Sequence, residues 1–191
     1  MLFHFHLTSK VGAMQRTSGR YFSRAFLLIC ICLAIFNFSA QSFAQNPTAA
    51  KPVLTIGGEV AHPLQFTAAE FAKLPHRTVK AFNGHEKKDE TYEGVLLRDL
   101  LTQAGVAAGE NLRGRDVAKY VEIEAADGYK AVFALAEFDP SFQDSEIIVA
   151  DSLNGAPLGE GQGPLKIVAP HDKRPGRWIR MAIHVDVRQA P

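Results

Sequence analysis

Residues Tyr120-Val121-Glu122-Ile123-Glu124-Ala125 alternate side chains at period two, reach Asp127-Gly128, and return through Tyr129 to Leu135. Two alternating runs joined through Asp-Gly predict a β-hairpin. A hairpin is marginal alone, so one face has to be covered by further strands or helices. The rest of the chain supplies both. Leu54-Thr55-Ile56, the pair Gly57-Gly58, and Val60 to Phe66 predict a second hairpin with the glycines at its turn. Thr67-Ala68-Ala69-Glu70 is a capping box that opens a short helix burying Phe71 and Leu74 and stopping at Pro75.

Thr78 to Phe82 is a further extended piece, followed by the charged excursion Asn83 to Glu90. Leu96-Leu97 and Leu100-Leu101 lie on one face of a helix that Gly105 ends, and Ala107 to Arg115 is expected as loop. Ala136 to Phe138 makes one helical turn, Ile147 to Ala150 a buried strand, and Asn154-Gly155-Ala156-Pro157 a turn. Leu165 to Ala169 is a strand, and Trp178 to Val187 closes the domain, with Ile179, Met181, Ile183, Val185 and Val187 on one face. Strands outnumber helices, and the helices are short and inserted. The fold class is therefore α+β, mainly β.

The first residues belong to a different problem. Arg16, Arg20 and Arg24 precede the apolar run Ala25 to Phe36, which ends near Ser42-Phe43-Ala44. That pattern reads as a secretory signal peptide over residues 1–44, a flexible lead-in over 45–52, one domain over 53–191, and a periplasmic location. The two cysteines, Cys30 and Cys32, lie inside the apolar run, so residues 45–191 carry no thiol. Those residues hold nine Lys and eight Arg against nine Asp and eleven Glu, a net charge of −3, whereas the whole chain is +1. A mildly acidic domain argues against nucleic acid as a partner.

The stretch Gly163 to Trp178 gathers His171, Asp172, Lys173, Arg174 and Arg177 in a loop with three prolines and ends on the single tryptophan. Hydrogen-bonding side chains beside a large aromatic face mark it as a small-ligand site. His171 beside Asp172 has no partner nucleophile singled out by the sequence. His62, His76, His85 and His171 are too scattered for a zinc site, although His85, Glu86 and Asp89 cluster in the charged excursion.

Gly57-Gly58-Glu59-Val60, Pro63-Leu64, Leu74-Pro75, Tyr92 to Leu97, Asp127-Gly128-Tyr129, Gly155 to Leu158 and Gly163 to Pro170, in that order, resemble the molybdopterin-binding domain of the sulfite oxidase family. In catalytic members of that family a cysteine follows the strand corresponding to Thr78–Phe82, and its thiolate ligates molybdenum, a soft ligand for that metal. Here the neighbourhood reads Phe82-Asn83-Gly84-His85. The chain is most similar to the short, cysteine-lacking exported members, some of which bind free pterins and regulate a membrane-bound enzyme that makes or degrades cyclic di-GMP. The resemblance thus implies a non-catalytic pterin-binding protein with no tightly bound cofactor and, as partner, the periplasmic domain of a diguanylate cyclase or phosphodiesterase. The alternatives are a molybdopterin-dependent oxidoreductase whose metal ligand is Asn83 or His85, and an interaction domain without a ligand.

A pterin offers a flat ring and an edge with a ring N–H beside an amino group. Trp178 is the candidate stacking face, with a core role as its ordinary alternative. Asp127 or Asp172 would accept the two parallel hydrogen bonds, although Asp127 is equally a turn former. Arg174 or Arg177 would meet a ring carbonyl or polar tail, and Tyr129 and His171 supply further contacts. Stacking contributes about 1–3 kcal/mol and each charge-assisted hydrogen bond about 1.5–3 kcal/mol. Micromolar affinity is then within reach after association costs.

Overall fold

The structure, a computed structural model, describes residues 50–84 and 86–191. The expected signal segment, most of the lead-in and His85 lie outside the described residues. In chain order the elements are β1 (Leu54–Gly58), β2 (Leu64–Phe66), α1 (Ala68–Phe71), β3 (Arg77–Asn83), β4 (Lys88–Leu96), α2 (Leu97–Gln103), β5 (Lys119–Ala125), β6 (Lys130–Ala134), β7 (Ile148–Leu153), β8 (Ala156–Pro157), β9 (Lys166–Val168) and β10 (Ala182–Gln189), with short 3₁₀ turns between some of them. Strand dominates, as the mainly-β α+β expectation required.

One sheet runs β2-β1-β10-β5-β6, antiparallel except for the parallel pair β1 and β10. The second runs β3-β4-β7-β8, with β9 antiparallel to β7. Period-two alternation turns one set of side chains from each sheet inward. Leu54, Ile56, Val121, Ile123, Val185 and Val187 of the first sheet join Val79, Tyr92, Val95, Ile148, Val149 and Ile167 of the second in one buried cluster. Each such side chain contributes about 1.5–3 kcal/mol when fully buried, so this shared core holds the domain without disulfides. Helix α2 adds Leu97, Leu100 and Leu101 to it and ends at Gly105, whose φ is 80°.

The capping box forms as expected: Thr67 Oγ1 accepts from the Glu70 amide at 3.3 Å, and Glu70 accepts from the Thr67 amide at 2.8 Å. The helix it opens, α1, has only four residues. It buries Phe71 and leaves Leu74 half-buried. The hairpin of β1 and β2 also forms, but Ile56 pairs with Leu64, so the reversal spans residues 59–63 and not the glycine pair. Gly58 instead serves β10: its φ is 80°, and a Cβ there would collide with the Val187 carbonyl oxygen.

The closing strand departs from its expected pattern. It begins at Ala182, because Met181 adopts φ 52° and the register against β5 shifts between Ala182 and His184. Each irregularity displaces the alternation by one residue. Ile179, Ala182, Val185 and Val187 are therefore buried, while Met181 and Ile183 are not. The irregular stretch before the strand has its own pairing. The Ile167 amide donates to the Ile179 carbonyl at 2.8 Å, the Ala182 amide to the Leu165 carbonyl at 2.9 Å, and Lys166 faces Arg180 across an isolated antiparallel bridge. Residues 178–182 thus run along β9 of one sheet before entering β10 of the other.

Candidate functional site

At this seam lies a cleft of about 540 Å³. Four separate segments line it: Asn83 and Glu86 from the β3–β4 turn, Asp127 and Tyr129 from the β5–β6 turn, Gln162 and Lys166 ahead of and within β9, and Pro175, Gly176, Trp178 and Arg180 on the approach to β10. A second hollow of about 490 Å³ lies beside α2 and is largely apolar, with Leu101, Val106, Leu112 and Phe138 in its wall. Its buried carboxylate, Asp139, is already engaged by the Gly109 amide and by the amide and hydroxyl of Ser141. Of these two, the seam cleft is the one that joins aromatic surface to several converging polar groups.

The cleft floor is a hydrogen-bonded chain built on the buried Lys166, Tyr92 and Glu90, with half-buried Gln162 and Asn83 at its ends. Lys166, 5% exposed, donates to Gln162 Oε1 at 2.7 Å and to the Tyr92 hydroxyl at 3.2 Å. That hydroxyl donates to Glu90 Oε2 at 2.5 Å, and Asn83 Nδ2 donates to the same oxygen at 2.8 Å. Strand β4 places Glu90 and Tyr92 two residues apart, hence on one face, while β3 sets Asn83 at its end. The aromatic wall is Trp178, whose ring meets Tyr92 edge-on at 5.9 Å and 89° and whose Nε1 donates to the Ala169 carbonyl at 2.9 Å. The Lys166 ammonium stands 5.0 Å from the Tyr92 ring centroid and 5.7 Å from that of Trp178.

These surroundings set the charges. Burial pushes the Lys166 pKa down and the bridge partner Arg180 adds to this, against the opposing pull of Glu90. For Glu90, burial acts upward, but hydrogen bonds from Tyr92 and Asn83 and the charges of Lys88 and Lys166 hold it below the ordinary carboxylate value. Burial and the neighbouring carboxylate raise Tyr92 well above the usual phenol range. At neutral pH the floor therefore holds an ionised Glu90 and a neutral Tyr92 that donates to it.

The sequence-derived residues divide into two groups. Asn83, Asp127, Tyr129 and Trp178 meet in the cleft. Trp178 is 7% exposed, so it is part of the core as well as of the cleft wall. Asp127 Oδ1 accepts from the Tyr129 amide at 3.0 Å, closing the turn in which Gly128 has φ 84°. Tyr129 is 52% exposed and donates its hydroxyl to the Gly176 carbonyl at 2.6 Å across the cleft mouth.

The structure does not bring Arg177, Asp172, Arg174 and His171 to the cleft, so the polar loop as a whole is not its wall. Arg177 forms a two-point pair with Asp172 (2.9 and 2.6 Å), reaches Glu137 at 3.0 Å, and lies over the Phe133 ring at 4.2 Å. Those contacts tie the loop to β6 and the turn after it, a structural role. His171 and Arg174 are exposed and outside the cleft. Sequence reasoning does not single out Lys166, Tyr92, Glu90 or Arg180. The signal it offers is a lysine inside the apolar strand Leu165 to Ala169, together with the shared parity of Glu90 and Tyr92.

The family model described as oxidoreductase molybdopterin binding domain matches residues 44–180. The chain belongs to the molybdopterin-binding oxidoreductase-domain family. In this molybdopterin-binding domain, the mainly-β fold is also similar to a solved structure, the sulfane dehydrogenase SoxCD from Paracoccus pantotrophus, at 22% identity and a TM-score of 0.57. The similarity covers 72% of this chain and 38% of that one, so the molybdopterin-binding domain here corresponds to well under half of that chain. No curated protein matches.

The donors present separate the two halves of the family's cofactor. No cysteine occurs among the described residues, and none of them form a group of three or more His, Cys, Asp or Glu placed to hold a metal ion. The end of β3 offers Asn83, a hard amide already bonded to Glu90, where a soft thiolate would suit molybdenum. The donor set therefore does not fit thiolate-ligated molybdenum. It does fit a flat, polar heterocycle, with Trp178 and Tyr129 as aromatic surface, Asp127 and Glu86 as acceptors and Arg180 and Lys166 as donors.

Proposed function

We propose that the domain is an exported, periplasmic receptor for a free pterin, held in the seam cleft without metal chemistry. The observation that carries this reading is the cleft itself. It combines the Trp178 wall, carboxylates on the turns at Asp127 and Glu86, and a buried donor floor, with no thiolate among its lining residues. Asp127 is the acceptor for the ring N–H and amino edge, because its Oδ1 is fixed by the Tyr129 amide and the carboxylate is thereby oriented. Arg180 or Lys166 meets the ring carbonyl. A volume near 540 Å³ leaves room for a bicyclic ring, which weighs against a purely ligand-free interaction domain.

The protein has one tryptophan, and it lines the cleft, so binding is read directly. Titration with oxidised and with reduced pterins should quench Trp178 emission saturably in the micromolar range. No saturable change up to millimolar ligand would remove the proposal. The regulatory half of the reading, control of a membrane-bound cyclic di-GMP enzyme through its periplasmic domain, rests on the likeness of the sequence to short exported pterin-binding proteins. Its test is co-purification of such an enzyme from native membranes in a pterin-dependent manner.

Family membership favours a second reading, a molybdopterin-dependent oxidoreductase in which Asn83 or another non-sulfur group stands at the metal. Elemental analysis of protein purified from its native host separates the two. Molybdenum near one atom per chain supports the second reading, and a content far below that supports the first.

A further inference from the structure

Among the described residues, Lys166 differs from every other lysine in its surroundings. It is the buried one, 5% exposed, and its Nζ contacts only neutral polar groups, Gln162 Oε1 and the Tyr92 hydroxyl, with no carboxylate oxygen within ion-pair distance. Its bridge partner is Arg180, so the two residues lie directly opposite across the pairing, with their side chains on the same side. Both line the cleft, and Arg180 is exposed with no ion-pair partner among the described residues. The charged and titratable groups that face Lys166 are Glu90 behind the Tyr92 hydroxyl, Tyr92 itself, and Arg180.

Desolvation together with a neighbouring cation is the arrangement that turns a lysine from a spectator cation into an amine nucleophile. The cleft walls add selectivity, since Trp178 and Tyr129 offer aromatic surface to a planar group while Arg180 is available to an anionic substituent. We infer that Lys166 is a covalent capture site for planar aromatic aldehydes bearing an anionic group. The unprotonated amine attacks the carbonyl carbon and forms a C–N bond, giving a carbinolamine. Loss of the hydroxyl as water, with the second amine proton, leaves an imine. The condensation is redox-neutral, needs no co-reactant and reverses by hydrolysis. This activity goes beyond pterin recognition and does not depend on it.

The test uses the full-length protein as purified, 4-formylbenzoate as the probe, and cyanoborohydride to reduce any imine to a stable secondary amine. Digestion and mass spectrometry then locate the adduct. Lys166 should be labelled ahead of each exposed lysine at neutral pH, because its buried amine beside Arg180 is held in the neutral, nucleophilic form to a greater extent than a solvated one. Uncharged benzaldehyde should label it more slowly, and Arg180→Gln should erase that difference between the two probes. Lys166→Arg should abolish the preferred adduct and leave only the weak labelling of the exposed lysines. In case that variant does not fold, the same labelling of unfolded wild-type chain in denaturant should lose its preference for Lys166. Adducts spread over the exposed lysines with Lys166 spared would overturn the inference, as would equal preference for Lys166 in the folded and unfolded chain.

Discussion

Replacing Tyr92 by Phe removes one oxygen from the centre of the buried floor and little else. The ring keeps its edge-on contact with Trp178, and no cavity larger than a hydroxyl opens. What is lost is the 2.5 Å bond to Glu90 Oε2 and the 3.2 Å acceptor for Lys166 Nζ. Glu90 is 3% exposed, so water cannot replace the missing donor, although Asn83 at 2.8 Å still serves the same oxygen. A hydrogen bond to a charged group contributes about 1.5–3 kcal/mol. The Lys166 bond is longer and retains Gln162 as an alternative, so it adds about 0.5–1 kcal/mol. The expected loss is about 2–4 kcal/mol, read from chemical denaturation with an unchanged m-value.

The same variant has a signature in pH. The folded-state pKa of Glu90 lies below its unfolded value, so its contribution is present above the unfolded carboxylate range, near 4.3, and disappears as pH falls through the folded value. Tyr92→Phe removes one of the donors that depress it, so the variant should lose less stability than wild type as pH falls below the unfolded carboxylate range. A loss below about 0.5 kcal/mol with an unaltered acid limb would refute the reasoning, since it would mean that the floor is hydrated or that the three groups do not interact.

Three other outcomes follow from the geometry. Arg177→Ala should cost about 1–3 kcal/mol through the lost Asp172 and Glu137 pairs and Phe133 contact while leaving pterin affinity unchanged, as calorimetric titration would show. For His76, burial opposes the charged form, but the Leu74 carbonyl and Asp151 at 3.0 Å prevail and raise its pKa. Its contribution is complete below the unfolded value near 6.5 and is lost as pH rises through the folded value, so denaturation of Asp151→Asn should show that alkaline-side loss flattened. Gly94→Ala should abolish soluble expression or cost more than about 3 kcal/mol, because its Cβ would collide with the Val149 carbonyl oxygen where β4 meets β7.

Local features are legible in the sequence. The Asp127-Gly128 hairpin, the Thr67–Glu70 capping box and the helix ended by Gly105 each depend on residues within a few positions of one another, and all three form. The start of the closing strand is not legible in the same way, because nothing in residues 178–183 announces a left-handed Met181 or a shifted register. Both arise from the need to follow β9 and then join β5 in another sheet. The polar loop looks more like a binding site in sequence than it is in the fold, for a related reason. Arg177 and Asp172 satisfy each other five residues apart, and a row of charges along a chain does not show which of them are already paired.

Turn chemistry, alternation and the ordered motifs by themselves determined the mixed, mainly-β fold and the family, because those signals are local or simply cumulative along the chain. Which side chains share the cleft was decided by tertiary structure alone. Lys166, Tyr92, Glu90 and Arg180 come from strands and loops as much as 90 residues apart, and they meet only because two sheets close over one core. Burial at that seam then makes the lysine and the carboxylate chemically different from the same residues in water.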